Sequence, residues 1–85
     1  MTETELHERN DIEHGVLIVI NDVEYVAPRR EMTGRALMAL AGILDGNHLF
    51  LDVPGPGDDR PIGPDEEVRL RRKMHFYDVP VGNFG

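Results

Sequence analysis

Few side chains in this sequence are of a type and spacing that could do chemistry. His7, His14, His48 and His75 are scattered, and no pair has the spacing that would bring two imidazoles to one metal ion. His75 falls in a strand-like run and reads as a sheet residue, facing solvent or satisfied within the sheet. No Ser-His-Asp logic supports a nucleophilic triad. The absence of cysteine excludes a disulfide scaffold, a thiolate zinc site, an iron–sulfur cluster and a cysteine nucleophile. Asp58-Asp59 and Asp65-Glu66-Glu67 offer oxygens to calcium, but without EF-hand spacing they read as solvated turns. Gly55-Pro56-Gly57 lacks both the helix start and the Gly-Lys-Ser/Thr end of a phosphate loop. Arg69-Leu70-Arg71-Arg72-Lys73 is a dense run of bases. It reads as an exposed strand edge that resists pairing or as a docking patch for an acidic surface. No catalytic residue, metal site or cofactor is therefore expected.

The elements that must position these groups can be read from the apolar pattern. Val16 to Ile20 is a β-branched run with strand character. Asn21-Asp22 suits a tight turn, and Val23 to Ala27 resumes strand composition before Pro28, so a β-hairpin is expected. Thr33 is a candidate N-cap for a helix of roughly ten residues, with Leu37, Leu40, Ala41 and Leu44 on its buried face. Arg35 and Met38 lie off that stripe and are expected to be exposed, and Gly42 and Gly46 offer stops. Leu49 to Val53 returns to strand, 54–59 is a loop, and Arg60-Pro61-Ile62 suits a short edge strand. Residues 63–67 read as a turn with Pro64 at a first helical position. Val68 to Leu70 is expected to begin the last strand, with 74–79 completing it and Pro80 ending it. Strand, strand, helix, strand, weak strand, turn, strand describes an α+β domain: a mixed sheet of four to five strands crossed by one helix. The most apolar strands, 16–20 and 74–79, belong side by side in its middle.

Length and charge bound the rest. With 85 residues the chain supports one small core, placed at 15–80. Residues 1–14 carry five acids against Arg9, with only Leu6 and Ile12 to bury, and read as a flexible acidic arm. Folding of that arm on a basic partner surface is the alternative. Residues 81–85 read as a mobile tail. Sixteen acids against nine bases, a net charge of −7, oppose general nucleic-acid binding. No apolar run is long enough for a membrane span, and the acidic start is not a secretory signal, so a cytoplasmic protein is expected.

The stretch Val19-Ile20-Asn21, then Tyr25 to Arg35 (Tyr-Val-Ala-Pro-Arg-Arg-Glu-Met-Thr-Gly-Arg), then Leu40-Ala41-Gly42 resembles the bacterial multiubiquitin family of ubiquitin-like domains. Leu49-Phe50-Leu51, Gly57-Asp58-Asp59-Arg60 and Met74-His75-Phe76 extend the likeness over roughly residues 16–80. The resemblance implies a β-grasp, ubiquitin-like fold. It also implies a protein modifier of bacterial ubiquitination-like operons, some of them linked to anti-phage defence. The implied partners are an adenylating activating enzyme, a conjugating enzyme, a metal-dependent deconjugating peptidase and target proteins. Members with tandem copies give the family its name. One copy is present here, as a single-domain member or a unit of a longer protein.

In such a modifier the C-terminal carboxylate is adenylated and the acyl group is passed on. A side chain at the last position would obstruct the channel it threads, and Gly85 has none. From Pro80 the tail reaches ~20 Å at ~3.3 Å per residue. Val81, Asn83 and Phe84 are then candidates for recognition by a partner, with Phe84 as an aromatic anchor. Modifiers of this type usually end Gly-Gly, whereas this chain ends Gly82-Asn83-Phe84-Gly85. Gly82 is thus a second candidate end, after trimming. Arg69, Arg71, Arg72 and Lys73 become a candidate docking patch for the activating or conjugating enzyme. Lys73, the only lysine, becomes the sole internal acceptor for chains. A non-covalent β-grasp interaction module, or a sulfur carrier whose terminal glycine becomes a thiocarboxylate, are the alternatives.

Overall fold

A computed structural model describes residues 15–81 of the 85-residue chain. The expected acidic arm, 1–14, and the last four residues, 82–85, lie outside the described residues.

Strand β1 (Val16–Ile20) and strand β2 (Val23–Ala27) form the expected hairpin, with Val16 opposite Ala27 and Ile20 opposite Val23. Asn21 and Asp22 take φ of 54° and 67°, the left-handed pair of a type I′ turn, whose twist matches that of the flanking strands. β3 (Glu31–Thr33) leads into α1 (Gly34–Leu40), and β4 (His48–Leu51), β5 (Arg60–Ile62), β6 (Glu67–Arg69) and β7 (His75–Val79) follow. The main sheet runs β2-β1-β7-β4-β5. β1 and β7 are parallel neighbours through Val19–His75 and Ile20–Phe76, and the other pairings are antiparallel. This is a mixed five-stranded sheet with one helix across it, the β-grasp arrangement. Alternation along each strand sends Ile18 and Ile20 of β1, Leu49 of β4, Ile62 of β5 and Phe76 of β7 into one core with Leu37 and Met38 of α1.

Three expectations are corrected. Val68 to Leu70 does not begin the last strand. Residues 67–69 form β6, which pairs with β3 in a separate two-stranded ladder (Glu31–Arg69, Met32–Val68, Thr33–Glu67). Three-residue strands carry too little periodicity to be seen, and their partner lies over thirty positions away. The helix is also shorter than expected, seven residues, and buries Gly34, Leu37 and Met38 rather than a stripe ending at Leu44. Gly42 at φ 71° stops it. The Ile43 amide donates to the Met38 carbonyl at 2.9 Å and that of Gly42 to Ala39 at 3.1 Å, a Schellman closure. Leu44 then lies past the end, 75% exposed. Met38 is buried because the core-facing positions are i, i+3 and i+4 from Gly34. Finally, β4 covers 48–51 rather than 49–53. The Thr33 N-cap is as expected: its hydroxyl accepts from the Ala36 amide at 3.1 Å.

Candidate functional site

β7 links the two ends of the domain that hold candidate residues. At its C-terminal end, register with β4 persists as far as Val79 opposite His48, and Pro80 then removes a donor. Val79 and Val81 are 41% and 50% exposed, among the last described side chains on this exit. The root of that exit is tied down by Asp78. Its carboxylate accepts from the Asn21 side-chain amide at 2.7 Å and the Asn47 side-chain amide at 2.8 Å. The Asp78 backbone N–H donates back to Asn21 at 3.2 Å. The hairpin turn and the α1–β4 connection are thereby tied to the residue two before Pro80. Sequence reading passed over Asp78, because its partners are 57 and 31 positions away. Of the expected tail residues only Val81 is described; Gly82, Asn83, Phe84 and Gly85 lie outside the described residues.

At the other end the basic run is not a strand edge. Arg69 closes β6, whereas Arg71, Arg72 and Lys73 form the exposed turn into β7. The Lys73 amide donates to the Leu17 carbonyl at 2.6 Å, and the residue takes φ 66°. For a residue with a Cβ, that left-handed conformation costs ~1–2 kcal/mol. Arg29 and Arg30 join the same end, since the Leu70 amide donates to the Arg30 carbonyl at 2.7 Å. Arg69, Arg71, Arg72 and Lys73 are exposed, and Arg29 and Arg30 lie next to them. Among the described residues the only ion pairs are Arg35–Asp65 and Arg60–Glu66, and none of these six exposed cations is paired within that set. The Asp65 hydrogen bond raises the Arg35 pKa above its ordinary value.

The sheet face away from α1 carries Phe50 and Tyr77, cross-strand partners whose rings stack at 5.4 Å and 12°. The Tyr77 hydroxyl donates to Asp59 at 2.6 Å, and the Val53 amide donates to the other Asp59 oxygen at 3.1 Å. The Tyr77 hydrogen bond, then that of Val53, holds the Asp59 carboxyl below its usual range. The Asp59 hydrogen bond, with desolvation, pushes the Tyr77 phenol up to about 12. Asp59 is therefore not a solvated turn residue. Nor is Glu66, which accepts from the Gly63 amide at 3.1 Å and pairs with Arg60. Asp58, Asp65 and Glu67 are exposed, as read. His75 and His48 are exposed on strands. Among the described residues no three His, Asp or Glu side chains converge to hold a metal ion, and no helix is long and apolar enough to cross a membrane.

A family model described as multiubiquitin matches residues 16–77, nearly the whole described fold. The chain belongs to the multiubiquitin family. No curated protein and no solved structure matches it. The residues of this multiubiquitin domain that carried the resemblance have structural roles. Thr33 caps α1, Gly34 packs against the β5–β6 turn, and Asn21 forms the I′ turn and binds Asp78.

Proposed function

We propose that this ubiquitin-like domain is a protein modifier, used through its C-terminal glycine, Gly85, or alternatively through Gly82 where a peptidase first trims the last three residues. The observation that supports the reading most is the multiubiquitin match over a β-grasp whose central strand, β7, leads out of the fold through exposed Val79 and Val81. In the reaction the terminal carboxylate attacks the α-phosphate of ATP, forming an acyl adenylate and releasing pyrophosphate. A nucleophile of a partner enzyme then displaces AMP to give an acyl ester or thioester. Transfer to an acceptor on a target protein completes conjugation, by an amide where the acceptor is an amine. The domain contributes the acyl group and the surface by which it is held; Val81, Asn83 and Phe84 contact the enzyme that threads the tail. The partners are an adenylating activating enzyme, a conjugating enzyme, a metal-dependent deconjugating peptidase and the targets. The setting is a bacterial, cytoplasmic pathway with a role in defence against phage.

Lys73 is the only lysine in the chain and lies at the end of β7 opposite the tail. A chain linked through it would extend with each tail far from the next attachment point. Mono-modification or short chains are expected, and remnant mapping that found abundant linkage at another residue type would contradict this.

The deciding experiment is incubation of the chain with an activating enzyme of this type and ATP, following pyrophosphate exchange and a covalent adduct by mass. Adduct formation that survives deletion of Gly85 and blocking of Gly82 would refute the proposal. A second reading, a non-covalent module binding through the outer sheet face, is favoured by the Phe50–Tyr77 stack. It expects partner binding that is indifferent to the tail. A thiocarboxylate mass on the purified chain would instead mark a sulfur carrier.

A further inference from the structure

Every cation among the described residues except Arg35 and Arg60 lies at one end of the domain, and none of them pairs with an acid among the described residues. Arg29 and Arg30 follow β2, Arg69 closes β6, and Arg71, Arg72 and Lys73 make the turn into β7. Glu31 and Glu67 line one recess with Arg29, Arg30 and Arg69, and Asp52 is the one acid among the described residues that faces Arg71, Arg72 and Lys73, so the positive surplus is greatest at 71–73. Between the 71–75 turn and the end of β4, residues 51–54, runs a groove of about 660 Å³. Leu51, Asp52, Val53 and Pro54 line it on one side and the Arg71–His75 turn, with Met74, on the other. Like charges held this close repel one another, and an acidic surface laid against them relieves that repulsion.

The chain has an acidic segment that starts from this very place. Residues 1–14 carry Glu3, Glu5, Glu8, Asp11 and Glu13 against Arg9. β1 begins at Val16, beside the basic turn, because the Lys73 amide is bonded to the Leu17 carbonyl. Four residues upstream of Val16 stands Ile12, an apolar side chain between Asp11 and Glu13. Four residues span ~13 Å, and the groove lies about two strand spacings, ~10 Å, from β1, so the reach suffices.

We infer that the basic end is the docking site of the chain's own N-terminal segment, with Ile12 in the 51–54/71–75 groove and its flanking acids on Arg71, Arg72 and Lys73. Individually such exposed contacts are weak. Tethering compensates, since a short linker gives an effective concentration on the order of mM, enough to hold a site of only ~mM affinity. The segment then guards the basic end, and any acidic partner surface must displace it. The inference rests on charge, reach and the groove, not on the conjugation reading.

Because the 85-residue chain has no cysteine, Asn10→Cys carries a nitroxide at one defined site. In a 15N-labelled sample at low salt, amide signals of 71–75 and 52–53 should fall at least about twofold relative to the reduced label. Those around Asp22 and Asn47, at the far end of the sheet, should keep their intensity. The effect should vanish in 1 M salt, where the Debye length is ~3 Å. It should vanish too when Arg71, Arg72 and Lys73 are changed to Glu. The triple change Glu8→Gln, Asp11→Asn, Glu13→Gln should abolish it without altering the folded body. Uniform attenuation, attenuation on the Phe50–Tyr77 face, or persistence in these variants would overturn the inference. So would attenuation between spin-labelled and separately 15N-labelled chains in a mixed sample, which would assign the segment to a second copy.

Discussion

Replacing Gly34 by alanine sets two physical effects against each other. Helix propensity favours the change by up to ~1 kcal/mol. Packing opposes it. A Cβ on Gly34 would sit 2.3 Å from the Gly63 carbonyl oxygen and 3.1 Å from Ile62 Cγ2. The carbonyl is backbone, and it is held where it is: it accepts from the Glu66 amide at 3.2 Å, while the Gly63 N–H donates to the Glu66 carboxylate at 3.1 Å. Relief requires α1 to retreat from the β5–β6 turn by about 1 Å, the shortfall from ordinary contact distance. That retreat stretches the bonds from the Gly34 amide to the Glu66 carbonyl, 3.1 Å, and from the Arg35 amide to the Pro64 carbonyl, 2.9 Å. Overpacking costs ~1–3 kcal/mol and each weakened bond up to ~1 kcal/mol, so packing wins and the net loss is about 1–3 kcal/mol. For a domain this small the Tm should fall by roughly 5–20 °C. Thermal unfolding followed by far-UV circular dichroism reads it, with Gly57→Ala as the control, where a Cβ meets nothing within 4 Å. A Gly34→Ala protein at least as stable as the parent would refute the packing argument and leave propensity in charge.

The Asp59–Tyr77 pair makes stability fall at both extremes of pH. Asp59 has a lowered folded pKa, so its contribution is present above the ordinary carboxylate range and lost as pH falls through the lowered value. Tyr77 has a raised one, so its contribution is complete below 10.0 and lost as pH rises toward about 12. In a Tyr25→Phe chain, whose only tyrosine is Tyr77, phenolate absorbance should rise near 12. Asp59→Asn should bring the midpoint back toward 10, and an unmoved midpoint would contradict the hydrogen bond. Asp78→Ala removes the acceptor of two side-chain amides and should cost about 1–2 kcal/mol in chemical denaturation, with faster amide exchange at Asn21 and Asn47. Lys73→Gly relieves the left-handed backbone at φ 66°, offset by the entropy of glycine in the unfolded chain, and should raise stability by up to ~1 kcal/mol. A lower denaturation midpoint would contradict that account.

What the sequence made legible follows from the range of each signal. The β1–β2 hairpin, the Thr33 cap, the 60–62 edge strand and the adjacency of first and last strands rest on local pattern or on burial of the most apolar runs, and all are present. The β3–β6 ladder, the Asp78 clamp and the Asp59–Tyr77 bond depend on partners 18 to 57 positions away, and nothing local announces them. The helix was overextended because Leu44 continued the apolar spacing, while the Gly42 stop competes with that spacing and prevails. At the candidate site, the basic run was visible as composition. Its convergence with Arg29 and Arg30 required the fold to pair β3 with β6, which sets Arg30 against Leu70.

That convergence gives the domain a polarity that the order of its residues conceals. β1 and β7 run parallel, so the start of β1 and the start of β7 share one end of the sheet and the exit of the tail lies at the other. The lone lysine, the exposed cations and the attachment of the acidic segment are therefore together, a strand length of ~16 Å or more from Pro80. An enzyme that grips the basic end while it handles the tail must span the whole of β7. A charge reversal at Arg71, Arg72 and Lys73 should then weaken its capture of the domain, a KM effect, and leave kcat for the bound tail nearly unchanged. Reversal of all three that lowered kcat instead would contradict this separation and mean that the cations act beside the reacting carboxylate.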